Sequence, residues 1–98
     1  MPEYEMIYGA KVKTPIDMPD NILKDCIAFS LNALKDVPAD DDDQIQQIIQ
    51  QIKEHMDENW EPTWHVVSGR NFGSLVTHQA ARFVYFYVND RAVMIYKT

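Results

Sequence analysis

"RFVYFYVNDRAVMIYK", Arg82 to Lys97, is the stretch on which the fold turns. Its first arm, 82–88, is apolar at nearly every position and rich in aromatic and β-branched side chains. That composition suits a strand covered on both faces. Asn89-Asp90 is a turn signal, and "AVMIYK", 92–97, reads as the returning strand of a hairpin. Strand alternation sends Phe83, Tyr85 and Tyr87 to one face and Val84, Phe86 and Val88 to the other. Two tyrosines on one face need their hydroxyls near water or a partner. An aromatic strip beside a strand edge suits a groove for an extended peptide.

Two more strands are expected upstream, "TWHVVS" at 63–68 and "SLVTH" at 74–78. "GRNFG" lies between them. It lacks the spacing of a phosphate loop and leads into a strand rather than a helix, so Gly69 and Gly73 read as points where the chain bends or another backbone comes close. Further upstream, "QIQQIIQQIKEHMDENW" places Ile45, Ile48, Ile49, Ile52, Met56 and Trp60 on one helical face. "DMPDNILKDCIAFSLNALK" carries Leu23, Ile27, Leu31 and Leu34 on one stripe and Ile22, Cys26, Phe29 and Ala33 on the next. So broad an apolar face suits a helix packed on both a sheet and a second helix. Pro19, Asp17 and Asp20 suit that helix's start. A short strand is expected near 10–13, interrupted by Pro15. Residues 1–9 read as a flexible N-terminal extension of a single domain spanning 1–98. The resulting order is β-α-α-β-β-β-β, an α+β fold with two helices packed on an antiparallel sheet.

The 98 residues make one domain, 46% apolar, with a formal net charge of −6. Such an acidic chain is a poor match for nucleic acid or an anionic membrane, so neither is expected as a partner. A lone cysteine excludes an internal disulfide and a cysteine zinc cluster. No apolar run approaches ~18 residues and no leader is evident, which points to a soluble protein of a reducing compartment.

Catalytic and metal readings find little support. His65 and His78 fall on separate strands without further ligands at zinc spacing, and His55 sits on the polar flank of its helix, where it reads as solvated. Cys26 lies on an apolar helix face as a small hydrophobe. Ser74 with His78 lacks an exposing elbow, and Ser68 and Thr77 have no base and orienting group to complete a constellation. The acidic run Asp40, Asp41, Asp42, Asp43 lacks the spaced ligands, central glycine and distal glutamate of a calcium loop, and better serves the N-terminus of the following helix. No enzyme activity, cofactor or metal is expected.

Taken together, "PTWHVVSGRNFGSLVTH", "RFVYFYV" and "AVMIYKT" resemble the dynein light chain family of the eight-type, small dimeric hub proteins of cytoplasmic and axonemal dyneins. The likeness runs from Val12 onward and is strongest over 62–87. It implies that the segment 74–78 crosses to the partner subunit, joins its sheet next to the hairpin, and offers its outer edge to a target peptide as one more strand. The groove would be lined by Asn71, Phe72, Gly73, Ser74, Leu75, Val76, Thr77 and His78, with Phe83, Tyr85, Tyr87, Ala92 and Met94 as floor and wall. Backbone pairing would give tolerant affinity and alternate side-chain pockets selectivity. The dimer interface would comprise His65, Ser74, Leu75, Val76 and Thr77. A neutral imidazole buried there resists protonation, so acidifying below its reference value of ~6.5 should favour dissociation.

The resemblance further implies a non-catalytic subunit that pairs disordered segments of dynein intermediate chains, or else a general dimerisation hub for proteins with Thr-Gln-Thr-like motifs. Localisation would be the cytoplasm and cytoskeleton, with the cilium or flagellum axoneme open as well. The sequence departs from the family pattern in several places. Leu75 stands for a usual Tyr, Gln46 for a Lys that reads the target's glutamine, and Arg91 for an apolar residue; "PADDD" lengthens the interhelix loop, and Thr98 falls at a serine that is regulatory in some members. Such divergence suits a specialised paralogue, a homodimer or a heterodimer with a related light chain.

Overall fold

The computed structural model describes residues 4–38, 40–69, 81–88 and 91–97. Seven elements follow in order: β1 (Tyr4–Ile7), β2 (Ala10–Asp17), α1 (Asp20–Leu34), α2 (Asp42–Asn59), β3 (Trp64–Gly69), β4 (Ala81–Val88) and β5 (Arg91–Lys97). The strands form one antiparallel sheet in the order β1-β2-β4-β5-β3. The expected strand at 74–78 lies outside the described residues.

Alternation in the sheet and helical periodicity build one core between them. Ala10, Val12, Trp64, Val84, Phe86, Val88, Val93 and Ile95 face Ile22, Leu23, Cys26, Ile27, Leu34, Ile45, Ile48, Ile49, Ile52 and Met56 of the helices. α2 is capped as its acidic run suggests: the Asp41 carboxylate accepts from the Gln44 N–H at 3.1 Å, and Asp42 and Asp43 occupy the first turn.

Two expectations near the N-terminus are corrected. Residues 4–7 are not a structureless extension but strand β1, paired with β2 from Tyr4↔Lys13 to Ile7↔Ala10. The turn joins them through Tyr8 (φ 50) and Gly9 (φ 86), the double positive-φ geometry that two-residue hairpins favour. Nor does Pro15 end the strand. β2 runs to Asp17, and its pairing with β4 shifts register between Lys13 and Asp17, the kind of irregularity that accommodates a proline.

A third correction concerns His55, which is packed between the helices. Its ring stacks on Phe29 at 4.0 Å between centroids, and Nε2 lies 2.7 Å from Asp25 Oδ2. The same carboxylate oxygen accepts from Trp60 Nε1 at 2.9 Å. Asp25 thereby ties α1 to both the body and the exit of α2.

Candidate functional site

The face of the sheet turned away from the helices carries a second apolar cluster. Tyr85, Ala92 and Met94 are buried in it, with Val67, Phe83, Tyr87 and Tyr96 packed around them. Register explains the grouping: Met94 pairs with both Val67 and Tyr85, and Ala92 pairs with Tyr87. Directly opposed residues in antiparallel strands share a face. Phe83, Tyr85, Tyr87, Ala92 and Met94, the expected groove floor, are therefore brought together. Asn71, Phe72, Gly73, Ser74, Leu75, Val76, Thr77 and His78 lie outside the described residues. His65 sits on this face too, its ring stacked on Tyr96 at 5.0 Å and 23°.

Sequence reasoning missed the polar border of this face. Lys11 and Lys13 alternate with the core residues Ala10 and Val12, so β2 directs them to the tyrosine side. Lys11 Nζ lies 4.6 Å from the Tyr4 ring centroid and 5.6 Å from that of Tyr87, while Lys13 Nζ lies 5.3 Å from that of Tyr85. These are cation–π distances. The alternating Ala-Lys-Val-Lys run held the signal, had it been aligned with the aromatic strip.

Tyr87 and Tyr85 meet edge-on at 5.6 Å. The Tyr4 hydroxyl, 3.4 Å from that of Tyr87, favours the Tyr87 phenolate, but the hydrogen bond with Tyr85, burial and the Tyr85 charge together outweigh it and raise the Tyr87 pKa. The phenol therefore stays protonated at neutral pH and serves as a hydrogen-bonding group.

The hairpin itself has no open edge, contrary to the expectation that an added strand would lie next to it. β2 pairs with the outer side of β4 and β3 with the outer side of β5. Among the described residues the sheet ends at β1 and β3, where a further strand would pair. β3 (Trp64–Gly69) carries His65 and Val67 to the aromatic face and leads directly into residues 70–80.

Other candidate chemistry is quiet. Burial pushes the Cys26 thiol up to about 12, with the neighbouring Asp25 charge adding to the effect. A thiol so protonated is no nucleophile. Among the described residues no three His, Cys, Asp or Glu side chains converge as a metal-ligand set, and no helix is long and apolar enough to cross a membrane. Arg91 Nη2 donates to Asp42 Oδ1 at 2.5 Å, joining the start of β5 to the first turn of α2.

Comparison with known proteins agrees with this architecture. The family model for dynein light chain type 1 matches residues 10–98. A dynein light chain of Schistosoma mansoni is 38% identical over 82 residues, covering 84% of this chain and 86% of that protein. The cytoplasmic dynein light chain 1 of Candida glabrata is 37% identical over 82 residues, 84% of this chain and 90% of that one. Among solved structures, the dynein light chain-like domain of the Fasciola hepatica calcium binding protein FhCaBP2 superposes with a TM-score of 0.73 over 97% of this chain and 90% of that one, at 16% identity. That last likeness speaks for the fold alone. With two helices over an antiparallel sheet, a family match across nearly the whole length and relatives above a third identical, the chain belongs to the dynein light chain family.

Proposed function

We propose that this chain is a non-catalytic dynein light chain subunit that dimerises and binds disordered segments of dynein intermediate chains by β-strand addition. The observation that carries the reading is the second apolar cluster, on the face the helices leave, continuous with the strand that feeds residues 70–80. A sheet packed by helices on one side and carrying a tyrosine-rich apolar cluster on the other fits a partner subunit or an extended chain on that second side. In this reading His65 belongs to the subunit interface, together with Ser74, Leu75, Val76 and Thr77. Residues 71–78 line the groove over Phe83, Tyr85, Tyr87, Ala92 and Met94.

Two grooves per dimer would clamp two client chains in parallel. Linking sites in this way raises apparent affinity by ~10²–10⁴ when geometry permits both to be engaged. The place of action is the cytoplasm and cytoskeleton, as the name of the Candida relative suggests, or an axoneme.

Gln46, exposed on α2, favours a second reading of the target. Without a cation there, and with Leu75 in place of a Tyr, selectivity for Thr-Gln-Thr would relax toward other motifs, as in a dimerisation hub with clients beyond the motor. Affinity purification from cells separates the two: recovery of dynein intermediate chains supports the motor subunit, and an assortment of disordered proteins without dynein supports the hub.

A further inference from the structure

On the helix side of the sheet, away from the tyrosine face, a partly open cleft of about 230 Å³ is lined by Ile22, Trp60, Glu61, Trp64, Arg82 and Lys97. We propose that it binds a small organic acid, a carboxylate carried on a flat apolar body.

Register builds the cationic wall. Trp64 pairs with Lys97, so the two share a face, and Trp64 faces the helices. On β4, Ala81↔Lys97 and Val84↔Ile95 bracket two residues, Arg82 and Phe83, against the single Tyr96 of β5. That is a β-bulge, a device that re-aims a side chain. Phe83 joins the tyrosine face and Arg82, at φ 56, joins the cleft instead. A bulky residue at positive φ is an outlier that invites a functional reading.

Electrostatics and hydrogen bonding agree. Arg82 and Lys97 make no ion pair among the described residues, and the one carboxylate lining the cleft, Glu61, is on an exposed residue. Among the described residues the lining therefore carries two cations against one anion. Trp64 is fully buried, and among the described residues its indole N–H has no acceptor. Trp60, by contrast, gives its N–H to Asp25. A carboxylate between Arg82 and Lys97 would supply acceptor oxygens to the guanidinium and the ammonium, charge-assisted bonds of the stronger kind. The indoles and Ile22 would receive the apolar body. The volume of about 230 Å³ exceeds the ~150 Å³ of an engineered cavity that accepts benzene.

Both tryptophans of the chain line this cleft, so the full-length protein reports its own occupancy. Phenylacetate, with phenylacetamide as its uncharged match, is titrated against the Nε1–H resonances of Trp60 and Trp64 by NMR. The expected result is saturable movement of the Trp64 signal with Kd on the order of 1 mM or tighter, the range set by so few ligand atoms, and none with the amide. Arg82→Met and Lys97→Met should each weaken binding roughly tenfold or more, while Glu61→Gln should tighten it. Circular dichroism identifies any variant that has lost its fold, and Lys97→Met alone suffices if Arg82→Met has. No saturable shift at ~10 mM, well above that Kd range, equal binding of the amide, or unchanged affinity in folded Lys97→Met would overturn the proposal.

Discussion

Asp25 shows what a single residue can hold. One oxygen meets His55 Nε2 at 2.7 Å and Trp60 Nε1 at 2.9 Å, so replacing it strands two groups at once. Asp25→Ala should cost about 1–2 kcal/mol in urea unfolding, with Asp25→Asn recovering part. His55 looked solvated from its sequence because helical periodicity registers neighbours three and four residues away. Its partner is thirty positions distant, and the stacking on Phe29 depends on how the helices cross. Cys26 was legible, since an apolar stripe predicts burial directly. With its thiol at about 12, the native protein should not react with a disulfide reagent at neutral pH, and denaturant should release one thiol per chain. Asp57 gives a pH effect. The hydrogen bond from Lys53 at 2.6 Å lowers its pKa, burial opposes this, and the backbone N–H of Trp64 at 2.8 Å lowers it further. A carboxylate lowered on folding stabilises above its unfolded value of about 3.9, and that contribution disappears as pH falls through the folded value. Asp57→Asn should therefore be less stable than the parent at about pH 7 in urea titrations, with the difference shrinking as pH falls below about 3.9.

At the scale of elements, periodicity and punctuation decided what could be read. Both helices and the 82–97 hairpin were visible because their apolar patterns are long and regular. The acidic run before the isoleucine repeat marked the helix N-terminus, where Asp41 proves to be the cap; Asp41→Ala should lower thermal stability by about 1 kcal/mol. β1 was not visible. Its turn is Tyr8-Gly9, and a tyrosine at φ 50 gives none of the Asn-Gly signal by which such hairpins are found. The Tyr8 hydroxyl donates to the Asp20 carboxylate at 2.7 and 2.8 Å, a contact with the first turn of α1 that pattern reading cannot foresee. Nor could the sequence reveal the bulge at Arg82: period-two alternation assumes an uninterrupted ladder, and one extra residue changes which face Arg82 serves. Tyr85 and Tyr87 still share a face with Met94 and Ala92 because they lie beyond the bulge, in register with them.

For the whole molecule, the two sheet faces divide the labour. One makes a core with the helices. The other gathers tyrosines, Met94, His65 and two lysines beside the strand that leads into residues 70–80. If that second face is where a partner subunit and a client meet, disrupting it should separate assembly from folding. Tyr85→Ala should then yield a folded protein that sediments as a monomer, whereas an unchanged dimer would move the interface elsewhere. The most direct test of strand addition is amide hydrogen exchange of the protein with and without a saturating Thr-Gln-Thr peptide. The account predicts slowing at alternate amides across Ser74, Leu75, Val76, Thr77 and His78. Peptide that binds while exchange in those five residues stays the same would contradict it.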